Sequence, residues 1–85
     1  MTEGDFHIYT QNNCSYCYKA KQLLKSKGIV YEEYNLSDDP SAVQFLKKQG
    51  FKKVPQIFVD YGYRDEHIGG YDDLVKWLEN FEVSE

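Results

Sequence analysis

The stretch TQNNCSYCYKAKQLL, Thr10 to Leu24, holds both cysteines of an 85-residue chain, Cys14 and Cys17, two residues apart and directly ahead of a helical pattern. Asp5 to Thr10, DFHIYT, leads into it with Phe6 and Ile8 alternating against His7 and Tyr9, which predicts a short strand. The polar QNN makes a turn. From Ser15 to Lys27 the apolar positions Cys17, Ala20, Leu23 and Leu24 recur at spacings of three and four, the stripe of an amphipathic helix. Gly28 suits the left-handed position just past its end. The fold therefore begins with a strand, a turn and a helix that carries two thiols one turn apart.

The rest of the chain continues the alternation. IVYEEYNL, Ile29 to Leu36, is rich in β-branched and aromatic residues and predicts a second strand. In SDDPSAVQFLKKQG, Asp39 suits an N-cap with Pro40 at the first helical position, Val43 and Leu46 face inward, and Gly50 closes a short helix. Two strand-like runs, Gln56 to Asp60 and Arg64 to Ile68, are joined by YGY as a hairpin. Leu74, Trp77, Leu78 and Phe81 then fall at i, i+3, i+4 and i+7 of a terminal helix, and EVSE is expected to fray. The order β-α-β-α-β-β-α implies an α/β fold: a parallel pair crossed over right-handedly, then an antiparallel hairpin, giving a four-stranded mixed sheet with helices on both faces. This is the thioredoxin-like topology, expected as one domain over residues 1–85.

Composition narrows the function. A formal charge of −4 disfavours nucleic acid or an anionic membrane as partner, since both select basic patches. The chain has no apolar run of spanning length and no charged-then-apolar leader, so the expected location is cytoplasmic. Two cysteines are too few for a secreted disulfide framework, and in a reducing compartment such a pair points to catalysis or metal binding. No helical or strand face reads as visibly apolar on the outside, so a monomer is expected.

A structural disulfide across about four residues contributes at most roughly 2 kcal/mol by chain entropy, in a segment the helix start already orders. Zinc would need Cys14, Cys17, His7 and His67, and the histidines lack paired ligand spacing. Exchange chemistry explains the spacing better: Cys14 attacks a disulfide as thiolate, and Cys17 then attacks the mixed disulfide. A helix macrodipole stabilises that thiolate by only about 0.3–2 kcal/mol. The remainder must come from the backbone N–H groups of Tyr16 or Cys17 or the thiol of Cys17, and from cations, with Lys19 and Lys21 as candidates.

Three motifs in order resemble the dithiol glutaredoxins: CSYC at Cys14 to Cys17, KVPQIF at Lys53 to Phe58, and HIGGYDDL at His67 to Leu74. The likeness covers roughly Phe6 to Leu78. It implies a glutathione-dependent thiol-disulfide oxidoreductase that reduces protein disulfides and glutathione mixed disulfides, with ribonucleotide reductase among the conceivable protein substrates. Cys14 would be the nucleophile and Cys17 the resolving thiol. Tyr16 would border the glutathione site, Val54 ahead of a cis Pro55 would pair its backbone with the cysteinyl part, and Gly69, Gly70, Tyr71 and Asp72 would hold the γ-glutamyl end. Asp72 also suits an N-cap.

The chain departs from the family pattern in four places. Gln11 replaces a lysine three residues before the nucleophile, which removes a positive charge from the glycine-carboxylate end of the glutathione site. Lys53 stands where threonine is usual and compensates in part, with Lys52. Ser15 replaces proline, which opens the alternative of a dimer holding a [2Fe-2S] cluster through Cys14 and glutathione. The hairpin VDYGYRDEHIGG is long. A redoxin reduced by thioredoxin reductase, without glutathione, is the other alternative, and the GGYDD segment argues against it. Otherwise no tightly bound cofactor is expected.

Overall fold

A computed structural model of the chain describes residues 5–83, with side chains through residue 80. Four strands, β1 (Asp5–Thr10), β2 (Tyr31–Asn35), β3 (Gln56–Asp60) and β4 (Asp65–Gly69), and three helices, α1 (Ser15–Ser26), α2 (Pro40–Gln49) and α3 (Tyr71–Val83), follow the order β-α-β-α-β-β-α. The sheet order is β2-β1-β3-β4. β1 runs parallel to β2, with Phe6 opposite Tyr31 and Thr10 opposite Asn35, and antiparallel to β3, with Phe6 opposite Val59. β4 pairs antiparallel with β3, with an irregularity between Ile57 and Phe58.

Alternation along β1 decides the layering. Phe6 and Ile8, with Ile57 and Val59 of β3, point to the face covered by α1 and α3, where Ala20, Leu24, Leu74 and Leu78 complete a buried core. Burying each Leu, Ile or Phe there stabilises the fold by about 1.5–3 kcal/mol. Trp77 packs edge-on against Phe6, with ring centroids 5.6 Å apart. The opposite residues, His7 and Tyr9 with Tyr34 and Phe58, build a second, aromatic face. Phe45 of α2 stacks on Tyr9 at 5.2 Å, and Phe51 just beyond α2 stacks on His67 at 4.3 Å.

The element boundaries follow local chemistry. Asp39 caps α2 by accepting from the Ser41 and Ala42 amides, Pro40 opens it, and Gly50 ends it at φ +83°. Ala42 and Leu46 are the fully buried positions of that helix, whereas Val43, expected to face inward, is half-buried. β2 is shorter than expected. The amide of Ile29 donates to the Leu24 carbonyl and belongs to the helix end, and Val30 is 88% exposed. The last strand starts at Asp65 rather than Arg64, because the Arg64 carbonyl accepts from the Tyr61 amide and closes the turn. α3 continues through Glu82 to Val83, where fraying was expected. The Phe81 side chain, and Ser84 and Glu85, lie outside the described residues.

One polar contact ties α1 to the sheet. Thr10, 1% exposed, donates its hydroxyl to Glu33 Oε2 at 2.6 Å, and Lys21 Nζ reaches the same oxygen at 3.0 Å. A buried hydroxyl needs an acceptor, and Glu33 supplies it from the neighbouring strand. Partial burial works against ionisation of Glu33. The hydrogen bonds from Thr10 and Lys21, with the charges of Lys21 and Lys25, outweigh it and hold the carboxyl below its ordinary value.

Two outcomes are expected. Leu24→Ala in the core should cost about 2–5 kcal/mol, read as a lower urea midpoint at unchanged slope. Glu33→Gln keeps an acceptor for Thr10 and removes the ion pair. A depressed carboxyl pKa contributes stability that is present above the unfolded value and lost as pH falls through the folded one. The wild type should therefore exceed the variant by no more than about 1 kcal/mol at neutral pH, with the gap closing towards about pH 3. A gap independent of pH in denaturant titrations would remove the ion pair as its source.

Candidate functional site

β1 ends at the site and delivers the chain into it. The Leu36 amide donates to the Thr10 carbonyl at 2.8 Å, extending the β1–β2 contact to the last residue before the loop. In that loop the Asn12 amide donates to Ser37 Oγ, the Asn35 side-chain amide donates to Asn12 Oδ1, and Asn13 takes φ +60°. Asparagine tolerates this left-handed geometry better than most residues. The turn brings Cys14 to the N-cap of α1.

Cys14 is an extended residue whose Sγ accepts from the Cys17 amide at 3.1 Å, one of the donors expected from the sequence. The first turn of α1 carries no acidic side chain. The positive end of the helix is thus left to the sulfur, a contribution of up to about 2 kcal/mol to a thiolate there. Cys17 is only 2% exposed, Cys14 is half-buried, and the two are joined in a disulfide with Cα atoms 5.2 Å apart. An incoming thiolate therefore meets Cys14 rather than Cys17. The candidate cations are engaged elsewhere: Lys21 on Glu33, and Lys19 over the Tyr16 ring at 5.0 Å.

The other expected site residues gather in two groups. On one side Tyr16, 54% exposed, meets Tyr71 with ring centroids 6.0 Å apart, joining the starts of α1 and α3. Gly70 lies beside the Pro55 carbonyl, which a Cβ on Gly70 would meet at 3.6 Å. The Val54–Pro55 peptide is cis, and Val54 precedes the β3 ladder, with no hydrogen bond to its backbone among the described residues. On the other side Gln11, Lys53 and Val54 line a groove of about 290 Å³. Lys47, Lys52 and Phe51 complete its rim with no carboxylate among the lining residues.

The expected N-cap at Asp72 is corrected. α3 starts at Tyr71, so Gly70 occupies the cap, and its amide donates to Asp73 Oδ2 at 3.1 Å. Asp72 falls one position too early to reach back, and its exposed carboxylate has no hydrogen-bond partner among the described residues. Gly69, at φ +121°, has no room for a Cβ, because the Asp73 carboxylate occupies that space.

Sequence reasoning missed a brace behind Lys53. Gln56 Nε2 donates to the Lys53 carbonyl at 3.0 Å, which turns Gln56 Oε1 towards His67 Nε2 at 2.7 Å. Burial against Phe51 and Phe58 pushes the His67 imidazole below its ordinary pKa, with Asp73 pulling the other way. The neutral ring then carries its proton on Nε2 and donates to Gln56. QIF and HIGG hold these residues, but their pairing is set by the β3–β4 register, with His67 opposite Phe58.

Comparison with known proteins agrees with this arrangement. The Glutaredoxin family model matches residues 7–63. Glutaredoxin 3 of Escherichia coli is 43% identical over 72 residues, covering 84% of this chain and 82% of that protein. The structure of glutaredoxin 1 from Francisella tularensis, complexed with cacodylate, superimposes with a TM-score of 0.75 at 30% identity, over 92% of this chain and 95% of that one. NrdH-redoxin from Escherichia coli, described as a glutaredoxin-like protein with a thioredoxin-like activity profile, gives 0.69 at 28% identity, over 87% of this chain and 93% of that one. With its Cys14–Cys17 pair at the start of α1 of a thioredoxin-like fold, the chain belongs to the glutaredoxin family of thiol oxidoreductases.

Proposed function

We propose that the protein reduces glutathione mixed disulfides and protein disulfides with glutathione as electron donor. The observation that carries this reading is the Val54 backbone, free of hydrogen bonds beside a lysine-lined groove and next to the Cys14 loop. An extended cysteinyl peptide can pair with such a segment as a short added strand. Lys53 and its neighbours Lys47 and Lys52 offer cations to a carboxylate, in place of the charge that Gln11 lacks. At the other end, the open Asp72 carboxylate suits an ammonium group.

In the one-thiol reaction, the Cys14 thiolate attacks the glutathionyl sulfur of a mixed disulfide. The substrate leaves as thiolate, and Cys14 is left joined to glutathione. A second glutathione thiolate then attacks that glutathionyl sulfur, giving glutathione disulfide and free Cys14. With a protein disulfide, Cys14 forms a mixed disulfide with one substrate sulfur, and Cys17 attacks Cys14 and releases it. The Cys14–Cys17 disulfide remains, and two glutathione molecules reduce it by way of Cys14.

The [2Fe-2S] reading needs one accessible thiolate, which Cys14 supplies, but it has no use for Cys17, whose disulfide with Cys14 would block the ligand. The redoxin reading has one observation in its favour, the missing charge at Gln11, and the likeness to NrdH-redoxin agrees with it. A cytoplasmic, reducing compartment and a working monomer complete the proposal, with all 85 residues as one unit.

Turnover of a glutathionylated peptide, coupled to glutathione reductase, tests the proposal. Wild type should turn over, Cys14→Ser should lose activity entirely, and Cys17→Ser should keep removal of glutathione while reduction of a protein disulfide falls at least tenfold. Turnover with thioredoxin reductase but none with glutathione would hand the assignment to the redoxin reading. Gln56→Leu, which removes the brace on Lys53, should raise KM for the glutathionylated peptide about threefold with little change in kcat, in keeping with one exposed hydrogen bond. An unchanged KM would mean that the loop holds its shape without Gln56.

A further inference from the structure

The groove beside Val54 is larger and more apolar than the glycine end of glutathione can fill. Its volume is about 290 Å³, and Leu36, Val43, Leu46 and Phe51 line it inside the lysine rim. Leu46 is 4% exposed and forms the floor, while Leu36, Val43 and Phe51 are half-buried walls. Val43, expected from the sequence to face inward, owes part of its exposure to this opening. The walls are fixed from behind. The Leu36 amide donates to the Thr10 carbonyl at 2.8 Å, the Phe51 amide donates to the Leu46 carbonyl at 2.9 Å, and the Phe51 ring stacks on His67 at 4.3 Å.

Strand geometry decides which residue of a substrate reaches those walls. With the glutathione orientation proposed above, on which this inference rests, the amino end of a substrate lies at Asp72 and its carboxylate end at the lysines. A cysteinyl peptide paired with the Val54 backbone is extended, and its side chains alternate between the two faces of the sheet. The reacting cysteine points to the face that carries α1, whose N-cap is Cys14. The residue after it therefore points to the opposite face, the one covered by α2, on the Lys53 side of Val54. Val43, Leu46 and Lys47 of α2 line the groove there. In glutathione that residue is glycine, which has no side chain and leaves the apolar lining in water.

We propose that the groove selects disulfide substrates in which a large aliphatic residue directly follows the reacting cysteine. Such a side chain takes apolar surface out of water on both partners. The lysine stems can extend the apolar lining while their ammonium groups stay in solvent at the rim. Those ammonium groups favour a carboxylate just beyond the aliphatic residue, and no carboxylate lines the groove to repel it. A basic residue in the same place would meet like charge from Lys47, Lys52 and Lys53, so the rim rejects as well as attracts. Val43 and Leu46 thereby determine specificity without touching the reacting sulfurs.

Release of thionitrobenzoate from its mixed disulfides with short peptides, by the reduced full chain, tests the proposal. The Cys14 thiolate attacks the cysteinyl sulfur, a Cys14–peptide disulfide forms, and thionitrobenzoate leaves as the thiolate with the electron pair of the broken bond. At subsaturating peptide the γ-Glu-Cys-Leu derivative should react about tenfold faster than the glutathione derivative, and Leu-Cys-Gly no faster than glutathione. Val43→Ser should bring the ratio of leucine to glycine peptide below about threefold, a ratio that a uniform loss of stability or activity does not move. Equal rates for γ-Glu-Cys-Leu and glutathione, an equal gain from Leu-Cys-Gly, or an unchanged ratio in Val43→Ser would each overturn it. The attack uses no electron donor. Loss of turnover with glutathione and glutathione reductase therefore strikes the function proposed above, whereas loss of the ratio with that turnover intact strikes the groove alone.

Discussion

The hydrogen bond from the Cys17 amide to Cys14 Sγ fixes where α1 begins, and most of the site depends on that starting point. If the helix started one residue earlier or later, the two sulfurs would rotate by about 100° around the axis. Cys17 would then leave the stripe that packs on the core. With the cap at Cys14, the stripe Cys17, Ala20 and Leu24 faces the core, so the packing that stabilises the helix also hides the second sulfur. The asymmetry between an approachable and a sheltered thiol is thus a by-product of amphipathic packing.

The loop before the cap is held from outside the helix. Thr10 is buried beneath it, Asn12 is held by Asn35 and Ser37, and α1 is tied to β2 through Lys21 and Glu33. These ties converge on β2 and its following loop, an edge of the sheet that carries no reacting group. An edge strand of five residues thereby serves as the frame that holds the helix start in register.

Much of this could be read from the chain. β1 over Asp5–Thr10, the start of α1 at Ser15, and α2 between Asp39 and Gly50 emerge as expected, because alternation, capping residues and a left-handed glycine are local signals. What escaped was non-local. The brace from His67 through Gln56 to Lys53 needs the pairing of β3 with β4, and the engagement of Lys21 by Glu33 needs the crossover that lays α1 over β2. The N-cap of α3 was misplaced for a different reason. Asp72 and Asp73 are equally good acceptors by type, and only the position of the first helical residue, Tyr71, decides which of them can reach back to Gly70.

The lysines Lys47, Lys52 and Lys53 border the groove beside the Cys14 loop, while Asp5, Asp60 and Asp65, opposite one another across β1, β3 and β4, lie at the far end of β1. The six residues of β1 set the two patches about 17 Å apart, roughly twice the distance of about 8–10 Å over which physiological salt screens a charge. An approaching molecule therefore responds to the patch nearest to it and not to the total of −4. Ionic strength should consequently act in the same direction on encounters at the two ends, weakening the approach of anions to one and of cations to the other, although the net charge alone would forecast opposite effects.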